Sequence, residues 1–235
     1  MINLESDESK TNLEFLRSRK IVENLSSESR FNYFWVGCSD FGITESEVTG
    51  LPQSEFFVHT NLANLVLPTD INCLSAMQMA VDIHKVENII VCGHYDCRAL
   101  RAALVPNNIS LSPDLAGNWL RPVGKIAVKY KKILSAIKNE SQLLNCLCEL
   151  NVIEQAVNVC RATPVTDAWK RGQVLTVHGL IYNPRDGLVR DLNLSVTEET
   201  EISEKYEAAI ENLKRRWMET DERTGGNYSH SKQSS

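Results

Sequence analysis

The sequence predicts an α/β fold with a mainly parallel central sheet flanked by helices. Three observations predict it. Short apolar runs bounded by turn residues alternate with longer stretches of helical periodicity, the pattern of crossover units in parallel sheets. Two runs, Tyr33-Phe34-Trp35-Val36 and Ile89-Ile90-Val91, are continuously apolar, as strands buried on both faces are. Just past these runs stand Cys38-Ser39-Asp40 and His94-x-x-Cys97, at strand ends where open α/β sheets place their chemistry.

The elements follow in order. Residues 1–30 carry Leu13, Phe15, Leu16, Ile21, Val22 and Leu25 at helical spacing, which predicts one or two short amphipathic helices. Such helices form no core alone and must dock on the domain or on a partner subunit. The first strand ends at Gly37-Cys38. A second extended run, Glu55 to His59, follows the turn residues Gly50-Leu51-Pro52. Asp70 or Thr69 is placed to cap a helix from Ile71 to His84. The third strand is Asn88 to Cys92. Gly93 is expected to break it, and His94 to open a helix running to about Leu104. Residues 106–120, with two prolines, Asn, Ser and Gly117, read as a loop. Helical pattern resumes over Gly124–Lys138 and Gln142–Cys160. Val174 to Tyr182 reads as a strand, Asn183-Pro184-Arg185-Asp186-Gly187 as a turn, and Leu188 to Val196 as an antiparallel edge strand. A last helix, about Glu199 to Trp217, puts Ile202, Tyr206, Ala209, Ile210, Leu213 and Trp217 on one face. Without an internal repeat or linker, residues 1–217 are expected to form one domain. The polar residues 218–235 are expected to be a disordered tail.

Composition narrows the function. The chain has 235 residues, 43% hydrophobic and 23% charged, ordinary values for a domain with a sizeable core. A net charge of −5 with no basic stripe argues against nucleic acid, and no apolar run reaches membrane-spanning length. The polar, acidic N-terminus has neither a secretion signal nor an Arg-rich transit pattern, so a cytoplasmic protein is expected. Seven cysteines is an odd number without disulfide-framework spacing, which fits a reducing compartment. Core packing is the expected role of Cys73, Cys92, Cys146, Cys148 and Cys160, which lie in apolar contexts.

Cys38, His94 and Cys97 are ligand types that suit zinc. On a helix starting at His94, that histidine and Cys97 would face one way, with Cys38 arriving from the neighbouring strand end. Three protein ligands and an open position define a catalytic zinc, at which the pKa of water falls towards neutrality. Two thiolates make such a zinc a weaker Lewis acid than three imidazoles would. Asp40 is near enough in sequence to accept a proton from that water or to take the fourth position itself. Each half of the motif alone is more often a packed or capping group; together, at successive strand ends, they make a candidate metal site.

At these residues the chain resembles the β-class carbonic anhydrases. The similarity rests on Gly37-Cys38-Ser39-Asp40, Thr49-Gly50-Leu51, Phe57-Val58-His59, Asn61-Leu62-Ala63-Asn64, Val91-Cys92-Gly93-His94-Tyr95-Asp96-Cys97, Glu149-Leu150-Asn151-Val152-Ile153-Glu154-Gln155, Val177-His178-Gly179-Leu180-Ile181-Tyr182 and Asp186-Gly187-Leu188, and covers about residues 10–196. It implies Zn2+ on Cys38, His94 and Cys97, and Asp40 as the aspartate of a catalytic dyad. It also implies a homodimer or tetramer with N-terminal helices against the partner, and CO2 or bicarbonate as the small-molecule substrate.

The departures are local. The family's arginine two residues after the aspartate is Gly42 here, Thr60 stands where an arginine is common, and Arg98-Ala99 replace glycines after the second cysteine. Without its arginine, Asp40 is expected to cap the zinc in the resting state. Arg98 or Arg101 either fills the vacancy, with Arg98 the catalytic candidate, or is solvated helix-face charge. The expected function is a zinc lyase related to reversible CO2 hydration, with weakened activity. The alternatives are a diverged zinc enzyme acting on another small carbonyl or carboxylate compound, with Phe41 and residue 98 reshaping the pocket, and a non-catalytic, zinc-stabilised binding protein.

Overall fold

The structure, a computed structural model, describes residues 7–19, 21, 31–104 and 115–224. A five-stranded sheet in the order β2-β1-β3-β4-β5 organises it. β1 (Tyr33–Cys38), β2 (Phe56–Asn61), β3 (Asn88–His94) and β4 (Thr176–Asn183) run parallel, and β5 (Leu188–Val196) returns antiparallel to β4 at the edge, as the Asn183–Gly187 turn predicts. The chain goes from β1 to β2 on one side and then crosses to β3 on the other. The strand order therefore reverses at β1 and β3, and a crevice opens beyond their C-terminal ends. Cys38 is the last residue of β1 and His94 the last of β3.

Both sheet faces are covered. Phe34, Val36, Ile89 and Val91 belong to the larger core, under α3 (Ile71–Gln78), α4 (Arg98–Leu104), α5 (Leu115–Lys129), α6 (Lys131–Leu134), α7 (Glu140–Cys160), α8 (Thr163–Lys170) and α9 (Ile202–Thr224). Tyr33, Trp35, Ile90 and Cys92 belong to a smaller core with Leu16 of α1 (Asp7–Ser18) and Val48 of α2 (Glu45–Thr49). Successive strand residues thus serve opposite cores, which explains why these strands read as unbroken apolar runs. α1 docks on its own domain: Asn12 donates to the carbonyls of Val48 (2.9 Å) and Gly187 (2.7 Å) and accepts from the Val189 N–H (2.9 Å). Val22 and Leu25 of the expected N-terminal helices lie outside the described residues.

Several boundaries differ from the sequence reading. Gly93 does not break β3, which continues through His94, and α4 begins only at Arg98. A Cβ at position 93 would stand 2.5 Å from Val152 Cγ2, so the glycine lets α7 approach the sheet. The loop expected over 106–120 is helical from Leu115, with Gly117 buried and Pro122 inside α5; residues 105–114 lie outside the described set. The helix expected over Gly124–Lys138 is divided at Tyr130 between α5 and α6. Asp70 is the N-cap of α3, whose last turn widens into a π-helical one at Met79–Ile83. α9 continues past Trp217 to Thr224, and the expected tail beyond it lies outside the described residues.

Candidate metal centre

Cys38, His94 and Cys97 converge although His94 and Cys97 share no helix. His94 ends β3, and the chain then turns through Tyr95 and Asp96 before Cys97, so the expected one-turn helical pairing is replaced by a tight loop. Asp96 holds that loop in the left-handed region (φ 57°), which aspartate tolerates better than most residues. Its backbone N–H donates to Asn145 Oδ1 (3.1 Å), and its carboxylate accepts from Arg185 Nε (3.0 Å).

The three ligand atoms lie within 4.8 Å of one another, and all three residues are buried. Cys38 Sγ and Cys97 Sγ are 3.8 Å apart. Two thiolates at about 2.3 Å from one tetrahedral zinc would stand about 3.8 Å apart. His94 Nδ1–H donates to the Tyr95 carbonyl (2.9 Å), which fixes the tautomer and leaves Nε2 as the lone-pair nitrogen. That Nε2 is buried and has no hydrogen-bond partner among the described residues. A buried acceptor without a donor is costly, and a cation beside two sulfurs removes that cost. The residues present therefore fit zinc.

The thiols titrate as a pair. Cys38 is lowered to about 5, chiefly because Cys97 donates a hydrogen bond to it; burial opposes this, and His94 and the Asp40 backbone assist. Cys97 is raised because its proton is the one held between the sulfurs, with burial and the Cys38 charge adding to the effect. A divalent ion relieves the conflict by taking both as thiolates. The Ala63 N–H also donates to Cys38 Sγ (3.3 Å). Ala63 (φ 65°) and Asn64 (φ 45°) hold a strained left-handed turn there. α7 secures it: Asn151 donates to the Ala63 carbonyl (2.8 Å), and Gln155 Oε1 accepts from the Val66 N–H (2.9 Å).

Arg98 engages Asp40. The Arg98 backbone N–H donates to Asp40 Oδ2 (2.8 Å), Arg98 Nε to Oδ1 (2.9 Å), and Nη2 to the Asp40 carbonyl (3.2 Å). Asp40, expected to close the metal's fourth position, thus has both carboxylate oxygens bonded to Arg98 and is not in the ligand cluster. Arg101 instead faces Asp96 (3.8 Å) and Glu140 (3.5 Å). Gly42 has φ +69°, a conformation that disfavours an arginine at that position. Phe41 stacks on the His94 ring, with centroids 4.4 Å apart, and also meets Tyr182.

Behind the site Tyr95 donates to Glu149 Oε1 (2.5 Å). The other oxygen of this buried carboxylate accepts from Arg216 Nη2 (2.7 Å) and Trp217 Nε1 (3.1 Å), which ties α9 to the residue after His94. Spacing alone did not reveal Ala63 or this link. A second cluster, His59, Asp70 and Cys73, also comes together, but Asp70 caps α3 there, and burial pushes the Cys73 thiol up to about 12.

An α/β sheet with two cysteines and a histidine gathered at its switch point defines a class of α/β proteins with a candidate metal site. The comparisons give the family. The carbonic anhydrase family model matches residues 33–189. A carbonic anhydrase of Emericella nidulans is 38% identical over 176 residues, 74% of this chain and 75% of that protein. One from Candida albicans is 34% identical over 165 residues, 70% of this chain and 57% of that protein. The β-carbonic anhydrase of Coccomyxa, solved with acetazolamide, superposes with a TM-score of 0.69 at 27% identity, covering 97% of this chain and 100% of that one. A β-carbonic anhydrase structure from Sordaria macrospora, described as tetrameric, gives 0.66 at 26% identity, covering 80% and 91%. The chain belongs to the carbonic anhydrase family, in its β class, a family of lyases that hydrate CO2.

Proposed function

We propose that this protein is a zinc-dependent carbonic anhydrase in which Arg98 does the work of the arginine missing at position 42. The observation that carries the reading is the Asp40–Arg98 pair beside the Cys38–His94–Cys97 cluster. Cys38, Cys97 and His94 Nε2 would hold the metal. When bound, zinc supplies Lewis-acid activation of a water molecule for attack on the carbon of CO2.

The chain's own residues do the rest. Asp40, oriented by the Arg98 N–H and guanidinium, is kept available to accept a hydrogen bond from that water and to receive its proton. The Ala63 N–H stabilises the charge on Cys38. Phe41, with Tyr182 packed against it, covers one side of the His94 ring and limits the entry of bulk water. The pair is an incomplete substitute, since the Arg98 side chain is 80% exposed and water competes for it. A rate below that of relatives that keep the arginine two residues after the aspartate is expected.

A homodimer or a pair of dimers is expected. β2 is a sheet edge, and Val58 on it is 40% exposed, which favours pairing with a second copy. The seven free cysteines suit the reducing cytoplasm. The test is CO2 hydration by stopped flow on protein carrying one zinc per chain, between pH 6.5 and 9. Catalysis lost in Cys38→Ser and Asp40→Ala supports the reading. No rate above buffer from fully loaded protein removes it.

A further inference from the structure

Tyr95 and Asp96, between the ligands His94 and Cys97, belong to neither β3 nor α4. Asp96 has φ 57°, a conformation that persists only where surrounding contacts over-determine it. The shape of this loop must therefore be fixed from outside. One face of α7 does so. Asn145, Cys148 and Glu149 are spaced i, i+3, i+4, so they point the same way. Asn145 Oδ1 accepts from the Asp96 N–H (3.1 Å), the Cys148 sulfur from the Cys97 N–H, and Glu149 Oε1 from the Tyr95 hydroxyl (2.5 Å). Consecutive loop residues, ending at a candidate ligand, are thus each met by a residue of one helix.

Tyr95 connects this face to the histidine. Its carbonyl accepts from His94 Nδ1 (2.9 Å), and its N–H donates to the Tyr182 carbonyl (2.9 Å). The orientation of the Tyr95 backbone therefore sets where His94 Nε2 points. The side chain of the same residue ends on Glu149, which is buried. Holding α9 does not require that contact, because Arg216 and Trp217 meet Glu149 Oε2 and leave Oε1 to Tyr95. Arg185, which also holds Asp96, has a side chain 66% exposed, so water screens it. The Tyr95–Glu149 bond lies in a low-dielectric interior and is the stiffer anchor. It persists whichever of the two residues carries the shared proton, so it needs no ionised carboxylate.

We propose that Glu149, with Asn145 one turn before it, is a positioning residue for the metal ligands: through the Tyr95 hydroxyl it holds the His94–Cys97 loop in the shape that binds zinc. Partners behind a metal ligand typically change metal affinity about 10–100-fold when lost. Glu149 stands one residue further back, behind the carbonyl that meets His94, so the lower end of that range applies. The inference rests on the zinc-site reading above, but not on turnover.

The test is the zinc affinity of the full-length protein at neutral pH, by competition with a chromophoric chelator, beside the melting temperature of the metal-free form. Tyr95→Phe keeps the ring and the carbonyl and deletes only the tether. It is expected to bind zinc about tenfold more weakly than wild type, with its metal-free form melting within a few degrees of wild type. Glu149→Gln keeps a group that bonds the Tyr95 hydroxyl in either amide orientation. Its zinc affinity is expected to stay close to wild type even where the weakened hold on Arg216 lowers its melting temperature. Affinity of Tyr95→Phe within twofold of wild type overturns the inference. Glu149→Gln binding as weakly as Tyr95→Phe overturns it too, since charge rather than the tether would then be responsible. Should Tyr95→Phe fail to fold, Asn145→Ala, which releases the Asp96 N–H, carries the test with the same expected loss and the same threshold. Wild-type protein that takes up no zinc would remove the metal reading itself, whereas a zinc-binding wild type with an unaffected Tyr95→Phe removes only the role of Glu149.

Discussion

Replacing Arg98 with alanine isolates what the relocated arginine does. The substitution removes the 2.9 Å bond from Nε to Asp40 Oδ1 and the 3.2 Å bond from Nη2 to the Asp40 carbonyl. It keeps the 2.8 Å bond from the residue-98 backbone N–H to Oδ2. Global stability should change little, because exposed ion pairs contribute about 0.2–1 kcal/mol, and the guanidinium is 80% exposed. For a domain of this size that is a fall of at most about 4 °C in Tm. Positioning is a different matter. A hydrogen bond to a charged group contributes about 1.5–3 kcal/mol, and solvent screening of this pair reduces it to about 1 kcal/mol. If that energy acts only on Asp40's orientation, kcat/KM falls about fivefold. The assay is stopped-flow CO2 hydration with zinc content and Tm measured on the same samples. A rate within twofold of wild type would refute the reasoning. Adding Gly42→Arg to this variant should recover part of the rate at a stability cost of about 1–2 kcal/mol, because position 42 has φ +69°.

Other expected outcomes follow from buried groups. His178 is held neutral, lowered to about 4 by burial, with Ser195 Oγ and Asn88 Oδ1 on its two ring nitrogens. Its unfolded-state value is 6.5, so the unfolded chain gains a proton first, and stability is lost as pH falls from 6.5 towards about 4. That shift corresponds to roughly 3 kcal/mol. Urea melts of metal-free His178→Gln should show a flatter acid limb than wild type by about that much; parallel limbs would contradict the assignment. In metal-free protein Cys38, lowered to about 5, should be alkylated by iodoacetamide at pH 6.5 before Cys73 and Cys160, both raised to about 12, and zinc should protect it. Equal labelling with and without zinc would count against the metal assignment. Arg216→Ala leaves Glu149, 1% exposed, with one charged partner fewer, and should cost about 3 kcal/mol, less the screening that Arg216's own exposure brings. An unchanged Tm would mean α9 does not depend on that link.

The strands and the convergence of the candidate ligands were legible because both obey simple patterns. β1 and β3 are apolar on both faces, and their last residues must lie at the switch point, so Cys38 and His94 could be placed without knowing the helices. The path from His94 to Cys97 was misread because glycine usually ends a strand. Here Gly93 answers to Val152 across the sheet, a long-range contact that local pattern does not encode. α5 was hidden by the composition of its first residues and by Pro122. α2 and α8 carried readable signals, the Thr44-x-x-Glu47 capping box and Pro164 in the first turn, but each is too short for periodicity to register. The choice of Arg98 over Arg101 was open in sequence. It is decided by the late start of α4, which turns the backbone N–H and the guanidinium of residue 98 together onto Asp40.

The central claim is that Asp40 stays on Arg98 and leaves the metal's fourth position open. A crystal structure of the zinc-loaded protein at neutral pH tests it directly. The account predicts zinc on Cys38 Sγ, His94 Nε2 and Cys97 Sγ, a water or small ligand in the fourth position, and both Asp40 oxygens still on Arg98. An Asp40 oxygen about 2.0–2.2 Å from the zinc, with Arg98 released to solvent, would contradict it.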